Sequence, residues 1–114
     1  LKLLDGPQKL FQNIDLFISQ GHTEAQQHVK ISDGKETLFY GGDLLPTATH
    51  ISLPWIMGYD LDPMQTLDTK RWVLDRAFAE DWLLIFEHDP LIQAGHLRTD
   101  TEGRYVLEEV IVWQ

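Results

Sequence analysis

The run Trp82-Leu83-Leu84-Ile85-Phe86 is uninterrupted apolar sequence, and it stops abruptly at Glu87-His88-Asp89-Pro90. A short apolar run bounded by turn residues reads as a strand covered on both faces. Such a strand needs a layer on each side, yet the chain offers one strong helix. Asp62 can cap it, Pro63 suits its first position, and Gln65 completes a capping box. Leu67, Leu74 and Phe78 lie along one face with Val73 and Ala77 beside them, which predicts a helix over about residues 63–80. The expected fold is a layered mixture of α and β, either thin or completed by structure from outside this chain.

The other elements read as strands. Ile14 to Ile18 is one, ending at Gly21. Gln27 to Ile31 alternates polar and apolar, Asp33-Gly34 follows, and Glu36 to Tyr40 returns. Asp-Gly between two such runs tolerates the positive φ of a tight hairpin turn, so residues 27–41 are expected to be an antiparallel hairpin. Residues 96–112 read as a last hairpin turning at Thr101-Glu102-Gly103, and Gly6-Pro7 marks a turn within residues 1–13. Between Gly41 and Asp62 the sequence is irregular but carries Ile51, Leu53, Trp55, Ile56 and Met57, so this loop must pack on something.

Composition excludes several classes. With 114 residues and no cysteine, the chain has no disulfide scaffold, Cys-based zinc site or thiol nucleophile. Nine Lys and Arg against 18 Asp and Glu give a net charge of −9, which argues against nucleic acid as a partner. No apolar run approaches a membrane span or a signal-peptide core, so a cytoplasmic protein with no membrane partner is expected. The chain opens on Leu1 with neither a basic leader nor a capped element, which suits one domain, residues 1–114, beginning inside something larger.

Three residues share one placement. His22 follows the strand of Ile14, Asp43 follows the strand ending at Tyr40, and His88 follows the run ending at Phe86. Loops at strand ends, held by a rigid sheet, are where layered folds put their chemistry. Imidazole and carboxylate suit Zn, Mn or Fe, and an open position on such a metal activates water. The bland alternative is a set of solvated loop side chains, since the spacings match no local metal motif.

Gly21-His22-Thr23, Gly41-Gly42-Asp43-Leu44 and Phe86-Glu87-His88-Asp89, in that order, resemble the C-terminal half of the metallo-β-lactamase-fold hydrolases. The segment from Asp43 to Asp60 looks like the branch containing N-acyl-homoserine lactonases and methyl-parathion-hydrolase-like enzymes. The resemblance implies half of an αββα sandwich: a mixed sheet with one main helix and a C-terminal hairpin. It implies a metal-dependent hydrolase with two divalent ions, Zn first and Mn or Fe as alternatives. His22 would bind one ion, Asp43 would bridge both as the catalytic carboxylate, and His88 would bind the second. A hydroxide between the metals would attack a lactone, ester or phosphotriester.

The family's H-x-H-x-D-H motif is absent, and no pair among His22, His28, His50, His88 and His96 has H-x-H spacing. The chain is therefore expected to be the C-terminal portion of a longer enzyme, inactive alone and holding about half the ligands. Its partners are expected to be a small-molecule substrate, the N-terminal half and a second copy of itself. The family's G-H-T-P-G-H reads Gly21-His22-Thr23-Glu24-Ala25-Gln26 here, and the Tyr expected shortly after the bridging Asp gives way to Leu44-Leu45-Pro46. His28 reads as an ordinary strand histidine. His50, Trp55 and Met57 are candidate substrate contacts or packing residues, and Asp89 either orients a ligand or starts the turn at Pro90. Two alternatives stay open: a non-enzymatic acidic interaction module with incidental histidines, and a mononuclear iron oxygenase or thioesterase relative of the same fold.

Overall fold

The computed structural model describes residues 3–110. Its elements run β1 (Gln8–Phe11), β2 (Ile14–Ser19), β3 (Gln26–Ser32), β4 (Thr37–Tyr40), α1 (Pro63–Ala79), β5 (Leu83–Ile85), β6 (Ala94–Thr99) and β7 (Tyr105–Val110), with short 3-10 turns at Gly42–Leu44 and Ala48–Ile51. Among the described residues the seven strands form one sheet in chain order. Neighbours are antiparallel except β4 and β5, which are parallel.

The hairpin expected at Asp33-Gly34 is there, with Gly34 at φ +91° and Asp33 Oδ1 accepting from the backbone of Lys35 and Glu36. The last hairpin also forms, its final residues 111–112 lying outside the described range. β1 is new. Residues 1–13 suggest only a turn, but Gln8–Phe11 pairs with β2. Its order, Gln-Lys-Leu-Phe, lacks the period of two that marks a half-buried strand.

Helix α1 starts as expected, with Asp62 Oδ1 accepting from Gln65 N at 3.1 Å and Pro63 in the first turn. Its buried stripe is offset from the one expected. Thr66, Lys70, Val73, Leu74 and Ala77 face inward, while Phe78 is 42% exposed. The polar members fit because each finds partners: Thr66 bonds to Asp60, and Lys70 to three backbone carbonyls. The helix ends in a left-handed residue, Asp81 at φ 53°, and Trp82 N returns to Ala77 O at 2.8 Å. That is a Schellman closure with aspartate where glycine is usual.

Trp82, Leu84 and Phe86 point into the core with Phe39, Leu44, Leu45, Ile51, Val73, Leu74, Ala77 and Leu97. Leu83 and Ile85 point the other way and are only half-buried. The expectation that this strand is covered on both faces is therefore corrected: α1 and the core it builds lie on one side of the sheet. On the opposite side, register aligns Leu16, Val29, Tyr40, Ile85, Ala94 and Val110 in one row and Ile14, Ile31, Leu38 and Leu83 in the next. These rows are almost wholly apolar and lie outside the core cluster, with Leu16 and Ala94 buried and the others partly exposed.

Topology then brings three strand ends to one edge. β2 and β4 each run antiparallel to β3, so they point the same way, and β5 is parallel to β4. The chain leaves all three strands at one edge of the sheet. His22, Asp43 and His88 are the residues that follow.

Candidate functional site

His22, Asp43 and His88 converge. His22 Nε2 lies 3.3 Å from Asp43 Oδ2, and His88 Nε2 lies 3.0 Å from Asp43 Oδ1. Each carboxylate oxygen thus faces a different imidazole. Donors that share a tetrahedral ion through bonds near 2.0–2.2 Å sit about 3.3 Å apart, which the His22 side of Asp43 matches and the His88 side, at 3.0 Å, falls slightly short of. Exposure rises across the trio, from 15% for the His22 side chain through 32% for Asp43 to 53% for His88.

Each member has a local anchor. Gly21 adopts φ +127°, and a Cβ there would lie 2.3 Å from Thr66 Oγ1 and 2.5 Å from Thr66 N, so only glycine lets the start of α1 seat against the His22 loop. Gly42, at φ +50°, turns the chain out of β4 just before Asp43. The His88 amide donates to Pro46 O at 2.9 Å, tying the turn after β5 to the loop after β4.

Behind His22 stands Asp60, which the sequence reading did not single out. Its carboxylate is 1% exposed, with Oδ1 2.9 Å from His22 Nδ1 and Oδ2 accepting from Thr66 Oγ1 at 2.8 Å. A carboxylate can only accept, so Nδ1 carries a proton and, in the neutral ring, Nε2 offers a lone pair toward Asp43. A lone pair facing a carboxylate oxygen needs a proton or a metal ion between them. The Tyr59 ring packs edge-on to His22 with centroids 6.0 Å apart.

Tyr40 and Glu87 flank the other side. Tyr40 donates its hydroxyl to Glu87, whose carboxylate lies 4.0 Å from His88 Nε2. That hydrogen bond, with burial and the Glu87 and Asp43 charges, pushes the phenol up to about 12. Tyr40 stands before Asp43, at the end of β4, and its hydroxyl is engaged by Glu87. Gln26, where the motif's second histidine would stand, packs its amide against Gly42, and its Oε1 is buried without a partner among the described residues.

His28 is more than a strand histidine. Its Nδ1 donates to Gly41 O at 2.9 Å and its Nε2 accepts from Ser19 Oγ at 2.6 Å, bracing the ends of β2 and β4 from within. Burial pulls its pKa down to about 4, against the opposing Gly41 hydrogen bond.

The remaining candidates divide. Met57 reaches the site indirectly, through a Tyr59 hydroxyl contact at 3.3 Å. His50 bonds to Thr47 Oγ1 at 2.8 Å; burial lowers its pKa, reinforced by the Lys70 charge and opposed by that of Asp60. Trp55 leaves its side chain 57% exposed and gives its carbonyl to Lys70. Asp89 touches backbone only: it accepts from Leu91 N, Ile92 N and Ala48 N, the turn-forming role. Lys70, also unanticipated, has no exposed surface, and its Nζ donates to the carbonyls of Ser52, Leu53 and Trp55 at 2.8, 3.1 and 2.8 Å. Burial pulls this lysine down to about 8, with the Asp60 charge opposing.

Among the described residues, no three His, Cys, Asp or Glu side chains enclose one metal ion. Imidazole and carboxylate are nevertheless donors that a divalent ion such as zinc accepts. His22, Asp43 and His88 are the side chains of this chain that would hold such an ion, with further ligands needed from elsewhere.

Known structures share this architecture. A probable metal-dependent hydrolase from Staphylococcus aureus superposes with TM-score 0.81 at 24% identity, over 97% of this chain and 41% of its own. AidC, a dizinc quorum-quenching lactonase, gives 0.81 at 20% identity, over 99% of this chain and 39% of its own. The hydrolase AbOPH of the β-lactamase superfamily gives 0.76 at 17% identity, over 91% and 36%. No family model and no curated protein matches the chain. At these identities the likeness is one of fold. The chain has the architecture of half a metallo-β-lactamase sandwich, and it spans about two-fifths of its neighbours' length.

Proposed function

We propose that this chain is the C-terminal portion of a metal-dependent hydrolase whose site is completed by an N-terminal half carrying the remaining ligands. The observation that carries the reading is the pairing of Asp43 Oδ2 with His22 Nε2 and of Asp43 Oδ1 with His88 Nε2. His22 and Asp43 would hold one divalent ion, and His88 and Asp43 the second, zinc being the natural choice for imidazole and carboxylate. When bound, the ions supply Lewis acidity toward a carbonyl or phosphoryl oxygen and an acidified water. This chain's own contribution is positional. Asp43 fixes the separation of the two imidazoles, the ring of Tyr59 shields His22, and Met57 and Tyr59 offer an apolar wall for a lactone, ester or phosphotriester.

The second reading is a non-enzymatic module in which protonated His22 and His88 form ion pairs with Asp43. It is favoured by the lack of a three-ligand group among the described residues. Titrating zinc into the chain while following imidazole 15N resonances separates the two. The hydrolase reading expects His22 and His88 Nε2 to shift together, and Asp43→Asn to abolish both shifts. Shifts confined to His50 or His96, or none at millimolar zinc, select the module.

A further inference from the structure

We propose that Asp60 is a positioning residue for His22, holding the imidazole in the Nδ1–H tautomer so that the Nε2 lone pair is the one presented beside Asp43. The role in metal binding rests on the metal-centre reading above; the tautomer does not.

Asp60 is a buried carboxylate. Asp60 lies two residues before the helix cap, but its side chain caps nothing. Gln65 N is taken by the Asp62 carboxylate and Thr66 N by the Asp62 carbonyl. A buried carboxylate carries a desolvation cost that hydrogen bonds and nearby charge must offset. Here the offsets are His22 Nδ1, the Thr66 hydroxyl and the positive charge of Lys70, one helical turn beyond Thr66. Two of the three come from inward-facing positions of α1 that the apolar pattern does not explain. The helix stripe thus gives up apolar surface to support this carboxylate.

The backbone is locked to the same end. Asp62 N donates to Gly21 O at 2.8 Å and Leu61 N to His22 O at 3.4 Å, so the segment from Asp60 to Asp62 lies against Gly21 and His22. The Gly21 Cβ position, overlapping Thr66, closes the gap further. With the main chain fixed and Asp60 holding one ring nitrogen, His22 has one orientation and one tautomer. His28 shows the contrast. Both of its nitrogens are consumed inside the protein, leaving none for a ligand. In His22 one nitrogen is consumed and the other is aimed. A carboxylate behind a ligating imidazole also raises its basicity toward a cation, an effect that typically changes metal affinity 10–100-fold.

The test uses the 114-residue chain and zinc alone. Long-range 1H–15N correlation spectra, recorded where His22 is neutral, report its tautomer directly. Wild type is expected to show Nδ1–H, whereas a histidine side chain in water favours Nε2–H. Asp60→Leu is expected to shift His22 toward Nε2–H and weaken zinc binding about 10–100-fold. Thr66→Val, which leaves the His22 contact in place, is expected to keep the tautomer and most of the affinity. A wild-type spectrum showing Nε2–H overturns the proposal without any variant, which covers the case of an Asp60→Leu chain that does not fold. An unchanged tautomer in folded Asp60→Leu overturns it equally. Zinc that leaves His22 unperturbed in wild type removes the metal centre, and the tautomer still judges Asp60.

Discussion

His28 Nδ1 donates to the carbonyl of Gly41, two residues before Asp43, at 2.9 Å. This bond requires a neutral ring whose other nitrogen accepts from Ser19, and burial lowers the pKa from 6.5 to about 4. Between those values the unfolded chain binds a proton that the folded one refuses. The contribution is therefore complete above pH 6.5 and is lost as pH falls toward 4. Urea titrations at pH 7 and pH 4 should differ by about 3 kcal/mol from this group, and His28→Asn should flatten that part of the profile.

Lys70 should be a strong point of the fold rather than a tolerated charge. Lys70→Met keeps the volume but strands the carbonyls of Ser52, Leu53 and Trp55. A loss of about 2–4 kcal/mol is expected, together with faster proteolysis in the loop around Pro54. An unchanged urea midpoint would show that water replaces the ammonium without cost.

Gly21 and Gly34 form a matched pair of controls. Both have positive φ, but a Cβ at Gly34 meets nothing within 4 Å, whereas at Gly21 it collides with Thr66. Gly34→Ala should cost about 1–2 kcal/mol, the backbone term alone. Gly21→Ala should cost at least about 3 kcal/mol and move His22. Equal losses would place Thr66 farther away than described.

The 114-residue chain should show no turnover of lactone, ester or phosphotriester substrates with zinc or manganese added, because each ion would have one imidazole and one carboxylate oxygen from it. Robust metal-dependent turnover would mean that the chain's own ligands suffice.

The apolar rows opposite the core should draw copies of the chain together. Each 100 Å² of apolar surface covered stabilises by about 2.5 kcal/mol, while a net charge of −9 opposes approach and is screened by salt. Sedimentation should show self-association that strengthens from low to high salt. A strict monomer in both conditions would show that this face needs no cover.

Much of the layout was legible in the residues. Asp62-Pro63 marked the helix, Asp33-Gly34 the hairpin, and the common placement of His22, Asp43 and His88 after strands the residues that meet. What escaped had no local signature. Asp60 is a lone aspartate beside a better cap, and its meaning depends on His22 being brought to it across the fold. Lys70 and Thr66 sit at inward helix positions that any apolar pattern skips, because their partners are backbone carbonyls and a buried carboxylate distant in sequence. Tyr40 has no local mark either, because its partner Glu87 reaches it only when β5 pairs with β4. The two-sided burial expected of Trp82–Phe86 failed because an apolar run records what a strand can be covered by, not whether this chain covers it.

Through the parallel pairing of β4 with β5, Asp43 and His88 are spaced by strand register, Tyr40 opposite Ile85, while the long connection between them hangs outside that register. The start of that connection is tied back to the turn after β5, through His88 N to Pro46 O and Ala48 N to Asp89 Oδ2. A one-residue slip of β5 against β4 would turn every side chain of β5 to the other face, so the pairing of Asp43 with His88 is as durable as this one parallel register.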